Sequence, residues 1–539
     1  MNEKSDSLVK EIQEFIWREN PVEATIVGIH RYDDQLEKLD VVSRKNKLRR
    51  KKKYLEQIKK IEKSGGFSDK LMMIKDALEV GIRMEEELQS LDRDAGTYPR
   101  LAVYGVYQLI ARSSEPCHYR ALRAIDRMRE IPRLLSEGKL NLTYGVNIPR
   151  LWTEAGIEMT IAGRECLAHL TGLLRKEVPE LGQVLQKYAN EVLSAFDSYL
   201  DFLISEVESR SDGDFRVGGE LFDFLLKHEH KLGVKYKALS RIARREAEKV
   251  SGELECMASR MEGPNDWRWQ LNRIQADRPE GDLLAFWNEI IQQVRQVVEL
   301  AEVVSLPESD ELKIMETPVF ERATIPQAGY IPAPLLEEES QAFFCITPPL
   351  DEAQGDEGEY SGNLYSRNQA WLTVIRELYP GRHTLLSMRK KEGSQEVFLS
   401  LHSVLEDGWC SYVCELLMAK KMIDNPDLRL LMLHERLVDA HRVLTDIGLH
   451  CGQLDDSQAI SEFVEGTGVS EQAARLEVRK LACAPTSSVG SMLGRMEIKK
   501  LFKEYKRKKN KKIPLKGFHD MLLKMSWFPL ATVRSRLLN

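Results

Sequence analysis

Apolar side chains recur at three- and four-residue spacing along most of the chain. Val9, Ile12, Phe15 and Ile16 form one such stripe, and Leu55, Ile58 and Ile61 form another after the basic run Arg44 to Lys53. The same period runs through 117–136, 156–175, 178–208, 235–261, 282–304, 366–379, 404–423, 429–449, 456–465 and 470–482. Each stretch predicts an amphipathic helix with one face toward a core. Turn residues punctuate them at Ser64-Gly65-Gly66, Ser211-Asp212-Gly213-Asp214 and Glu262-Gly263-Pro264-Asn265.

The pattern changes between about 306 and 362. Pro307, Pro318, Pro326, Pro332, Pro334, Pro348 and Pro349 interrupt any helix there, and Ala342-Phe343-Phe344-Cys345-Ile346-Thr347 reads as a strand. Gln354 to Glu359 reads as an exposed acidic loop. The chain is therefore expected to be mainly α, with two lobes around a cleft. Residues 1–310 make a helical N-terminal lobe, and 311–539 make a second lobe in which a small sheet lies beside the helix ending at Pro380. No internal repeat at a solenoid period is present.

At 539 residues, with 42% hydrophobic and 30% charged residues, the chain has the composition of a globular protein with a large core. A formal net charge of -6 gives no reason to expect nucleic acid or an anionic membrane as a partner. Lys499 to Lys512 is basic, but only Phe502 and Tyr505 lie within it. A solvated helix end explains it better than nucleic-acid binding, and Arg49 to Lys53 is read the same way. The eight cysteines are scattered without a CxxC pair, which fits a reducing compartment. With a charged start and no long apolar span, the expected location is cytoplasmic.

The candidate chemistry lies between 366 and 500. Arg376-Glu377-Leu378-Tyr379-Pro380-Gly381-Arg382-His383 is followed by Glu406-Asp407-Gly408-Trp409 with Tyr412, and then by Arg442, Asp446, Gly448 and His450. Phe518-His519-Asp520 and Pro529-Leu530 complete the order. With Pro21-Val22-Glu23-Ala24-Thr25 and Gly28-Ile29-His30 near the start, these segments resemble the bacterial proteins grouped as domain of unknown function 885. That family looks like zinc metallopeptidases of the mostly helical gluzincin type.

The resemblance implies a metallopeptidase-like fold. It also implies a zinc held by the histidines of a His-Glu-x-x-Pro-Gly-His-His motif and the acid of a Glu-Gly-Trp motif. Glu377 would keep the general-base position, and Arg442 and His450 would be matched site residues of open role. The ligand positions are degenerate, because Arg376 and Arg382 replace two histidines and only His383 of the final pair remains. Further on, Ser487, Ser491 and Cys414 stand where the family pattern has Gln, Tyr and Glu. Arginine is permanently protonated and offers a metal no lone pair.

The expectation is a catalytically impaired protein, a pseudoenzyme, with no metal and a peptide or protein ligand in the inherited cleft. A guanidinium of Arg376 or Arg382 would fill the metal position and pair with Glu377, Asp407 or Glu406. The alternative is an active hydrolase of peptide or amide bonds, with zinc on His383, Asp407 or Glu406. A soft-metal variant would use Asp407, Cys410 and Cys414 with His383 or His450. On the residues alone, the two cysteines read as small buried side chains. Arg442 would bind a peptide carboxylate or pair with Asp446 one turn on, His30 with Asp33 and Asp34 is N-terminal packing, and His228 and His230 lie on a solvated helix. No phosphate loop, GxSxG elbow or dinucleotide fingerprint is present.

Overall fold

A computed structural model of the protein describes residues 2–63, 68–111, 115–277, 281–307, 312–317, 322, 325, 328–337, 340–348, 366–392, 403–420, 422–452, 454–509 and 514–538. The turn expected at Ser64 to Gly66 and the acidic loop expected at 354–359 lie outside them. The described chain is mainly helical and divides into two compact units.

The first unit takes in Met1–Phe215 and Ala333–Gln341. Helices α1 (Asn2–Glu19), α2 (Pro21–Val27), α3 (Val41–Lys63) and α4 (Asp69–Arg83) come first, followed by the short α5 (Ser90–Arg93). The stripes foreseen in α1 and α3 meet there: Val9, Ile12 and Phe15 pack on Tyr54 and Ile58, with Leu71 and Ile74 of α4. Then come α6 (Thr97–Ala111), α7 (Cys117–Tyr144), α8 (Arg150–Glu177) and α9 (Gly182–Phe202), which pack on one another. The basic run of α3 is not simply solvated. Arg44 makes a bidentate bond to Asp92, Lys51 pairs with Glu85, and the Arg50 guanidinium lies over Phe15. The returning segment 333–341 is tied by Leu336 N–H to the Val27 carbonyl and by Glu337 to His30, which also bonds Asp33.

The second unit takes in Arg216–Pro332, Ala342–Gly393 and Leu401–Asn539. Its helices α10 (Gly218–His228), α11 (Tyr236–Ala258), α12 (Trp267–Gln275) and α13 (Leu283–Ala301) precede a sheet. The sheet holds β1 (Leu312–Glu316), β2 (Ala328–Ile331) and β3 (Ala342–Ile346) in the order β1-β3-β2, with β3 parallel to β1 and antiparallel to β2. Then come α14 (Arg367–Glu377), α15 (Arg382–Glu392), α16 (Ser403–Ala419), α17 (Pro426–His450), α18 (Asp456–Thr467), α19 (Glu471–Cys483), α20 (Val489–Lys509), α21 (Leu515–Lys524) and α22 (Leu530–Leu538).

The units divide at 215/216, not near 310. One core joins Leu239, Val250 and Leu254 of α11 to Leu430, Leu437 and Val443 of α17, so α10–α13 belong with the C-terminal helices. Within the proline-rich stretch the sheet begins, and the chain passes to the first unit at 332/333 and returns at 341/342. The expected strand forms β3, whose Phe344 is buried edge-on against Trp287 of α13. No helix among the described residues is long and apolar enough to cross a membrane.

Helix ends follow local chemistry. Ser366 caps α14 by accepting the Gln369 N–H, and Asn425 caps α17 ahead of Pro426. Asp455 and Gln458 form a reciprocal capping box at α18. Helix α17 is buried on nearly every face, so each charged group on it needs a partner.

Candidate functional site

The first motif makes a tight reversal. Helix α14 stops at Glu377 because Pro380 cannot extend it. The chain then passes so close to the helix end that a Cβ on Gly381 would lie 1.9 Å from the Arg376 carbonyl oxygen. Only glycine permits that approach, and it brings Arg382, at the start of α15, back over Glu377. The second motif secures the reversal: buried Trp409 of α16 donates its indole N–H to the Pro380 carbonyl at 2.8 Å.

Gly408 lets α16 approach α20. A Cβ on it would lie 2.4 Å from Gly494 Cα, and one on Gly494 would lie 1.9 Å from the Val404 carbonyl oxygen. The Pro-Gly and Asp-Gly-Trp signatures thus hold the backbone that positions the charged side chains.

Arg382 sits among the acids. Its Nε donates to Glu377 Oε2 at 3.0 Å, Nη1 to Glu406 Oε1 at 2.6 Å and Nη2 to Asp407 Oδ1 at 3.1 Å. Buried Arg389 donates to the other Glu406 oxygen at 3.1 Å. Burial alone would lower the Arg382 pKa, but Cys410 and the three acids raise it, so its charge is permanent. Burial pushes the Asp407 carboxyl up, against the pull of Arg382.

Arg376 makes a different pair, donating through Nη1 to Glu435 Oε2 of α17 at 2.8 Å. Against burial, which would raise it, Glu435 is held below the usual carboxylate range by Arg376 and Arg442.

The other expected ligands do not join this cluster. His383 points to β2, where its Nδ1 lies 3.0 Å from the Tyr330 hydroxyl, and its ring is edge-on to Tyr379. Burial, with Arg295 nearby, lowers its pKa to about 4, so the imidazole is neutral at pH 7. Cys410 and Cys414 are buried, and Cys414 Sγ donates to the Cys410 carbonyl. Burial pushes the Cys414 thiol up to about 12, far from a ligating thiolate.

Among the described residues, no three His, Cys, Asp or Glu ligand atoms of this region lie within 4.8 Å of one another. Three carboxylates spread around a guanidinium, with the histidine turned away, do not fit a zinc ion.

Arg442 does not pair with Asp446. It bonds Glu477 at 2.8 Å and Asp439 at 3.3 Å, since one helical turn back and a neighbouring helix offer closer acids. His450 is fully buried at the end of α17 and donates Nε2–H to the Leu481 carbonyl. At 1.5 Å per residue it stands about 22 Å along the helix from Glu435, so the fold does not bring it to the Arg382 cluster. Tyr412 bonds His519 Nε2 while His519 Nδ1 donates to the Val303 carbonyl, which makes both packing residues. His228 stacks on Phe224, and His230 bonds Thr486.

Sequence reasoning missed Glu435 and a second ionic lattice. Arg436 pairs with Glu246 and Glu253, Arg495 with Glu246 and Glu415, and Lys499 with Glu415. Only a faint sign is visible along the chain: His434-Glu435-Arg436 follows the apolar run Leu430 to Leu433, but Asp439, His441 and Arg442 on the same helix make it look like any charged face.

Two solved structures resemble the whole chain. One is described as "a putative lipoprotein of unknown function from Shewanella oneidensis", with a TM-score of 0.80 at 19% identity, covering 99% of each chain. The other is "the putative lipoprotein from Colwellia psychrerythraea", with a TM-score of 0.75 at 17% identity, covering 99% of this chain and 97% of that one. These likenesses show a shared fold. No curated protein matches the chain. The profile of a bacterial protein family of unknown function matches residues 21–537, and with nearly the whole chain matched, the protein belongs to that family, DUF885.

Proposed function

We propose that this protein is a metallopeptidase-like DUF885 member that has lost its metal chemistry and binds a peptide or protein segment in the remaining cleft. The observation that carries the reading is the Arg382 guanidinium bonded at once to Glu377, Glu406 and Asp407. A water-activating zinc site needs a free carboxylate as base and lone pairs for the metal. Here the base position is occupied by an ion pair, and a cation already balances the acids. A void lies between α11, α14, α16 and α17, with Arg376, the neighbour of Glu377, and Cys414 on its wall.

The test combines metal analysis of the purified protein with a mixed peptide library, using Glu377→Gln as comparison. The reading expects no stoichiometric zinc and no turnover. Metal-dependent hydrolysis that Glu377→Gln abolishes would establish instead an active hydrolase with an altered metal sphere.

The names of the two solved neighbours favour an extracytoplasmic setting over the cytoplasmic one expected from the residues. Fractionation of cells producing the tagged full chain separates the two.

A further inference from the structure

The void between α11, α14, α16 and α17 measures about 630 Å³, within the range of small-ligand sites. Arg376 and Glu435 are 20% and 31% exposed although they lie deep in the unit, because they face this cavity. Met257, Met418, Met432, Leu372 and Leu433 supply an apolar wall, and methionine adapts to varied side-chain shapes.

Charge is distributed unevenly around it. Each acid on the wall is engaged: Glu435 by Arg376, Glu253 by Arg436 and Lys249, and Glu415 by Arg495 and Lys499. Arg260 and Arg429 also line the cavity, are exposed, and have no ion-pair partner among the described residues.

The two lie at the same end. Arg436 reaches Glu246 and Glu253, whereas His441 and Gly448, further along α17, border a pocket with Arg244 and Ser240. Positions fall along α11 as they rise along α17, so the helices are antiparallel. Arg260, just beyond α11, therefore comes opposite Arg429 in the first turn of α17.

We infer that this cavity takes a short peptide by its free C-terminal carboxylate, gripped by Arg260 and Arg429, with the last apolar side chain on the methionine wall. Paired guanidinium groups suit a carboxylate, and charge-assisted bonds are the stronger kind. The inference rests on the reading of the chain as a non-hydrolytic peptide binder and adds which end of the peptide is recognised.

Fluorescence polarisation with peptides labelled at the N-terminus, made as matched free acids and C-terminal amides, tests it on the full chain. The free acid is expected to bind at least tenfold more tightly, and the combined Arg260→Ala and Arg429→Ala variant to lose that preference with its melting temperature unchanged. Equal affinity of acid and amide for the unaltered protein overturns the inference while leaving the binding reading intact, as does a preference that survives in the double variant. Cleavage of the peptides that Glu377→Gln abolishes overturns the underlying reading, and absence of any binding overturns both.

Discussion

Arg382 Nε lies 3.0 Å from Glu377 Oε2, and the other two nitrogens of the same guanidinium reach Glu406 and Asp407. One fixed cation thereby holds three acids that would otherwise repel one another in a poorly hydrated place. The reversal at Pro380-Gly381 makes the arrangement possible, since it folds Arg382 back over the residue five positions earlier.

Removing that cation should be costly at neutral pH and less so in acid. Arg382→Ala leaves Glu377, Glu406 and Asp407 with Arg389 on Glu406 and the more distant Arg376. Breaking a wholly buried pair costs about 3–5 kcal/mol, and these acids are 17–30% exposed, so about 2–3 kcal/mol is expected at pH 7. Burial already pushes the Asp407 carboxyl up against the pull of Arg382, and without that cation it rises further above its unfolded value. Its share of the penalty is then full at neutral pH and fades as pH falls toward about 4 and Asp407 takes up a proton. Chemical denaturation of both proteins at pH 7 and pH 4.5 measures this. An equal loss at the two pH values would refute the electrostatic account.

If arginines rather than fold geometry block a metal, restoring imidazoles should restore it. The combined Arg376→His and Arg382→His variant is expected to bind about one zinc per chain, with a melting temperature that rises with added zinc. Inductively coupled plasma analysis and calorimetry supply the readout. Failure to bind zinc in a folded variant would mean that more than the two arginines separates this site from a metal centre.

The Gly408–Gly494 contact should tolerate no side chain. Gly408→Ala places a Cβ against backbone atoms on the α16–α20 interface, where no flexible side chain can move aside. Overpacking of this kind costs about 1–3 kcal/mol, and more where the backbone itself must shift. A fall of several degrees in melting temperature is expected. Alanine at the nearby Gly252, whose Cβ would meet nothing within 4 Å, is the control expected to leave stability intact or raise it.

The helical class and the strand at β3 were legible because each rests on a local period. So was the pairing of Arg382 with its acids, since carboxylates crowded together call for a neighbouring cation. The unit boundary was not legible, because α10–α13 resemble any other amphipathic helices and only packing assigns them to the C-terminal core. Arg442 illustrates the same limit. Spacing along the helix favoured Asp446, but Glu477 comes from another helix and is visible only once α17 and α19 are packed. Glu435 reads locally as a surface charge until its helix is found to be buried all round.

Asp446 predicts a pH dependence of stability that has nothing to do with the Arg382 cluster. Its carboxyl is fully buried and accepts bonds from the Thr486 N–H at 3.2 Å and from the Ser488 N–H and hydroxyl at 3.4 and 2.6 Å. Burial raises its pKa to about 7 despite those bonds. Because the folded value exceeds the usual 3.8, the native state keeps a proton that the unfolded chain releases between about pH 4 and pH 7. Stability therefore falls as pH rises through that window and levels off above it, by on the order of 4 kcal/mol from this group alone. Asp446→Asn has nearly the shape of the protonated side chain, so it should match the native protein near pH 4.5 and exceed it at pH 8. His450 Nε2 lies 3.9 Å from Asp446 Oδ1, and the same comparison in a His450→Gln background isolates the contribution of Asp446. Urea midpoints across pH 4.5–8 decide the matter: an unchanged slope in Asp446→Asn would show that this carboxyl is already ionised in the folded protein.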